Sequence, residues 1–157
     1  MSNIALFVIR SLIAIPVVVV ALSLSLATAP IPATAAPPSM PGDVQMVQPD
    51  PSLPKELAAF SGKWEGSGLD TAKGQIQFFL IVEEITKEMA TLRVWHSVHG
   101  WSQREAEVAN ESGKYKLRYK GPFGKNVITS TGAGLVFDAQ HRDGKASWFT
   151  INLKRAP

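Results

Sequence analysis

The chain has 157 residues, room for one domain, and 45% of them are apolar, enough for a core. A formal net charge of +3 is too small to imply nucleic acid, and the absence of cysteine excludes disulfides, cysteine-based zinc sites and a lipidated cysteine at a signal cleavage site. The 12 glycines and 11 prolines point to turns and a linker.

The N-terminus carries Arg10 and then "SLIAIPVVVVALSLSLATA", almost wholly apolar from Leu12 to Ala27. A basic flank, an apolar run and small-residue sites predict a cleaved secretory signal peptide over 1–35, and hence a secreted or periplasmic protein. Cleavage after Ala33-Thr34-Ala35 is preferred to Ala27-Thr28-Ala29, which would leave Pro30 first. The alternative is an uncleaved N-terminal membrane anchor, since the run counted from Ile4 is nearly long enough to span.

From Pro30 to Pro54 there are eight prolines in 25 residues, so 36–56 is expected to be a disordered, extended linker. "PKELAAF" offers one helical turn with Pro54 near its start. The folded domain is placed at 57–157.

Within that domain the hydrophobic period is two. After the Trp64 segment, "GQIQFFLIVEEI" sets Ile76, Phe78, Leu80 and Val82 on one face, while Phe79 and Ile81 make the other face apolar too. That second face calls for a cover, either the linker or another copy of the domain. "MATLRVWHSV" puts Ala90, Leu92, Val94, His96 and Val98 opposite Thr91, Arg93, Trp95 and Ser97. "WSQREAEVA" sets Arg104, Ala106 and Val108 against Gln103, Glu105 and Glu107. "KYKLRYK" alternates Tyr115, Leu117 and Tyr119 with Lys114, Lys116, Arg118 and Lys120. "NVITST", "GLVFDAQ" and "ASWFTINLKR" complete eight strands, divided by turn signals such as Asn110–Gly113, Gly121–Gly124 and Arg142–Lys145. Short connections make sequential antiparallel neighbours, and eight strands suit an all-β, up-and-down antiparallel barrel. A seven-stranded sandwich is the rival, but it needs longer crossing connections.

Gly62-Lys63-Trp64 at the head of the first strand, with Arg155 ending the last, resembles the calycin group of lipocalins, avidins and their small relatives. The resemblance implies that Trp64 closes one end of the barrel and that Arg155 packs across the indole. A closer likeness is to small exported bacterial domains of the pattern G-x-W-E-G, L-x-V-E-x-I, G-W and a terminal basic residue. The matching pieces are "GKWEG", "FLIVEEI", "HGW" and "INLKR", spanning Ser61 to Arg155. Two differences from lipocalins, no long first loop and no helix after the last strand, argue against a large ligand pocket. No avidin biotin-site residue is carried over.

Enzyme signatures are absent from the sequence: no G-x-S-x-G elbow, no phosphate loop, no dinucleotide fingerprint. A non-enzymatic protein without a cofactor or resident metal is expected. The enzymatic alternative needs His96, His99 and His141 to converge on one point. Trp95, His96, His99, Trp101, Tyr115, Tyr119 and Trp148 are the candidates for an aromatic-lined mouth that takes a small apolar ligand. Charge is divided: residues 36–111 carry net −5 and residues 112–157 carry net +7. Lys114, Lys116, Arg118, Lys120 and Lys125 are accordingly candidates for anionic envelope material, with nucleic acid not expected because both tyrosines of that strand face inward. The runner-up function is a structural or protein-interaction module using Phe79, Ile81 and the basic face.

Overall fold

The computed structural model describes residues 38–70, 73–121, 124–141 and 146–157. The expected signal peptide, the first two linker residues and the tip of the Arg142–Lys145 turn lie outside the described residues. One short helix, α1 (Lys55–Ala58), precedes β1 (Gly62–Asp70), β2 (Gly74–Ile85), β3 (Met89–His96) and β4 (Gly100–Glu111). The chain continues as β5 (Lys114–Lys120), β6 (Lys125–Ser130), β7 (Leu135–Gln140) and β8 (Ser147–Arg155). Each strand pairs antiparallel with the next, and β8 returns to β1 to close the barrel. The expected eight-stranded up-and-down barrel is the observed fold.

Alternation decides the interior. Ile76, Phe78, Leu80 and Val82 of β2, Ala90, Leu92 and Val94 of β3, and Leu117 and Tyr119 of β5 are all buried, as period two requires of a wall wet on one side. The β4–β5 connection is the tight one the sequence signals: Ser112 and Gly113 both have positive φ, 54° and 81°, between paired Glu111 and Lys114. Two central residues of that hand match the right-handed twist of the flanking strands.

The barrel is shut at the end where β1 begins. Trp64 is 5% exposed, and its indole N–H donates to the Phe60 carbonyl at 2.8 Å. The Arg155 guanidinium lies over the ring, 4.3 Å from its centroid, and donates to the carbonyls of Ser61 (2.8 Å) and Ala59 (3.0 Å). One planar cation thus covers the indole and satisfies the carbonyls at the end of α1. Gly62 makes this approach possible: its φ is +117°, and an added Cβ would run into the Arg155 guanidinium. Leu53, Leu57 and Phe60 complete the plug, and α1 reaches β5 on the opposite wall.

Two bulges break the alternation. Between β2 and β3 the register shifts at Val82/Glu84, so Glu83 stays on the outer side with Ile81 while Ile85 turns back into the core. Between β7 and β8 the shift leaves Trp148 between the paired residues Ser147 and Phe149.

Residues 39–47, within the proline-rich stretch, lie against the outside of β2, β3 and β4. The Trp101 indole donates to the Ser39 carbonyl (3.0 Å), Arg93 pairs with Asp43 (2.7 Å), and the Val47 N–H donates to the Glu83 carbonyl (2.7 Å). Arg93 also grips Glu83 at 2.9 Å. These anchors surround Ile81, which pairs with Arg93 in register and is 3% exposed although it points outward. The physical reason is the second apolar face of β2, which gains by being covered. Prolines withhold N–H groups from a ladder, so the segment is held by side chains and the Val47–Glu83 backbone bond instead.

Candidate functional site: a cavity at the open end of the barrel

Strand direction sorts the interior into two halves. The half toward Trp64 is filled by Leu80, Val82, Leu92, Leu117, Leu135 and Leu153. The other half, where β1, β3, β5 and β7 end, holds a cavity of about 310 Å³. Its walls are mainly apolar: Phe78 from β2, Val94 from β3, Tyr119 from β5, Phe137 and Ala139 from β7, and Phe149 from β8. Phe137 is the hub of this aromatic wall, 4.3 Å from Phe78, 5.8 Å from Phe149 and 6.5 Å from Tyr119, centroid to centroid.

Polar groups enter from several strands, Arg104 deeper than Ser102 and the others nearer the rim. Arg104 and Ser102 line the cavity from β4, Asn126 from β6, and Asp70, Lys73, His96, His99 and Trp148 stand around the mouth. Trp148 is 41% exposed and stacks on His141 with centroids 3.9 Å apart. The β8 bulge is what brings this tryptophan to the rim beside Phe149. Strict alternation would leave it outside.

Of the ligand candidates read from the sequence, His96, His99, Tyr119 and Trp148 line the cavity. Trp95, Trp101 and Tyr115 do not. Trp95 projects outward and meets Phe79 edge-on at 5.5 Å, its register partner Trp101 is tied to Ser39, and Tyr115 packs against the filled half of the core. Phe78, Phe137, Phe149 and Arg104 were missed as site residues, although Phe78 and Arg104 already stand on the inward face by alternation. His96 and His99 are neighbours, 5.4 Å between centroids, whereas His141 is engaged with Trp148. Among the described residues no three His, Asp or Glu side chains gather around one point.

Burial pushes the His96 imidazole below its ordinary pKa. His99 and Lys73 add to the effect, and Asp70 opposes it. Its Nδ1 accepts the Val98 N–H at 3.1 Å, a bond that protonation of Nδ1 removes. The native state therefore binds fewer protons here than the unfolded chain. The resulting stability is complete above the unfolded histidine value of about 6.5 and is lost as pH falls below it. His96→Gln should flatten the decline in urea midpoint between about pH 7.5 and pH 5.5. An unchanged decline would assign it to other groups. Burial likewise raises the Tyr119 hydroxyl, with the Arg104 charge pulling the other way, so Tyr119 stays a neutral donor.

The basic face is partly spoken for. Lys116 and Arg118 both engage Glu111, which they hold below the ordinary carboxylate range. Arg118 also stands opposite Glu107 in register, while Lys120 stands opposite Lys125 and Lys114 is exposed. In comparisons with family models, curated proteins and solved structures, the chain matches none.

Proposed function

We propose that this is an exported, calycin-like barrel that binds a small apolar or aromatic molecule in its open end, as a carrier or sensor and not as an enzyme. The observation that carries the reading is the unfilled half of the barrel: an apolar-walled cavity of about 310 Å³ beneath a polar rim. This is the low end of the range for small-molecule sites, about 300–1,000 Å³. A barrel serving only as a scaffold gains stability by filling that space, as the other half does. The interaction-module reading is weaker, because residues 39–47 lie over the β2 face around Ile81 and Glu111 occupies part of the basic face.

The test is a titration with a neutral naphthylamine dye whose fluorescence rises in apolar surroundings. The purified protein should bind it, and Ala139→Phe, which builds a ring into the cavity wall, should weaken binding at least about tenfold. Equal binding by both proteins would place the dye elsewhere and overturn the reading.

A further inference from the structure

Arg104 is the one cation on the inward face of β4, between Ser102 and Ala106, and Ala106 is completely buried. Its own carboxylate neighbours, Glu105 and Glu107, project to the other side of the strand. Among the described residues no carboxylate pairs with it. Among those residues its one hydrogen bond runs from Nη1 to the adjacent Gln103 carbonyl at 3.0 Å. A guanidinium has five donors, so among the described residues most of its hydrogen-bonding capacity meets no acceptor. Asp70 is the sole carboxylate among the described residues of the lining. It lies at the mouth, where its Oδ1 accepts the Lys73 N–H at 3.0 Å.

We propose that the cavity selects an apolar or aromatic monocarboxylate, whose head is held by Arg104 and whose body lies against Phe78, Phe137 and Phe149. This rests on the ligand-binding reading above and names the class of ligand. Arg104 and Tyr119 line the same cavity, and the Arg104 charge opposes the burial-driven rise of the Tyr119 hydroxyl. In a low-dielectric cavity such a field favours an anion over a neutral head. The planar guanidinium fork matches a carboxylate with two parallel bonds, and the Ser102 hydroxyl and Asn126 amide line the same cavity. A single charge is specified because one interior cation compensates one anion, while at the mouth the charges of Lys73 and Asp70 offset one another. The volume, about ten waters' worth, limits the body to a ring with a short chain or to a medium-length alkyl chain.

The test compares matched pairs, phenylbutyrate against phenylbutanol and octanoate against octanol, by displacement of the neutral naphthylamine dye from the purified protein at about pH 7.5, where the acids are ionised. The carboxylate of each pair should bind about tenfold tighter or more. Arg104→Met and, independently, Arg104→Gln should bring the two members of each pair to equal affinity. Equal affinities in the unaltered protein, or a carboxylate preference that survives in whichever of the two variants folds, would overturn the proposal while leaving the cavity a neutral apolar site. Failure of the dye itself to bind would remove both this proposal and the reading beneath it.

Discussion

Trp64→Ala should cost about 3–5 kcal/mol of unfolding free energy, the largest loss expected for any single exposed-to-core contact at the closed end. The indole is 5% exposed, so its removal opens a cavity under α1. The Phe60 carbonyl loses its partner, and the Arg155 guanidinium loses the ring on which it lies. Each loss falls on the same few residues that shut the barrel, so they compound instead of being relieved by local collapse. Arg155→Lys should cost less than Trp64→Ala but remain measurable, because an ammonium cannot span the Ser61 and Ala59 carbonyls while stacking. Urea unfolding followed by far-ultraviolet circular dichroism reads both. A loss below about 1 kcal/mol for Trp64→Ala, the level of an ordinary surface change, would show that the plug is not what holds this end.

Removing residues 38–52 should destabilise the barrel by about 1.5–3 kcal/mol from the re-exposure of Ile81 alone. The deletion also strips Asp43 from Arg93, the Val47 bond from Glu83, and the Ser39 acceptor from Trp101. The outer row Phe79, Trp95 and Trp101 would then face water across three adjacent strands. Exposed apolar area of this kind drives association between copies. Comparing the shortened and unshortened proteins by urea unfolding and sedimentation should show a lower midpoint and a concentration-dependent rise in mass. Identical midpoints and a strictly monomeric shortened form would mean that the segment merely rests on the wall.

Most strands were legible because each carries its own period and its own stop: glycine turns, or the Thr86–Glu88 turn between β2 and β3, separate runs whose inward residues recur at every second position. The Trp64–Arg155 contact was legible through the resemblance of "GKW" and "NLKR", and the chemistry of an indole beneath a guanidinium explains why those residue types meet. The seat of residues 39–47 was not, because proline-rich composition reads as linker whether or not a chain has something to lie on. The only hint was on the other partner, in the outward Phe79 and Ile81 of β2. Trp95 and Trp101 were placed at the mouth for their closeness to His96 and His99 in sequence, yet alternation already turns Trp95 outward from His96. Trp148 reaches the rim only through a bulge, and an inserted residue leaves no mark in a period-two pattern this short. Arg104 stood on the inward face from the start. Its meaning appeared only once the space beside it and the lack of a described carboxylate partner were visible.

The binding cavity is tested most directly by methyl-selective NMR during titration with the neutral naphthylamine dye. Saturable shifts should fall on the methyl groups of Ala139 and Val94, in the cavity wall, with those of Leu57 and Leu53 at the plugged end unmoved. Shifts confined to surface methyls such as those of Leu69 and Val47, or no saturable shift at all, would contradict a ligand inside the barrel.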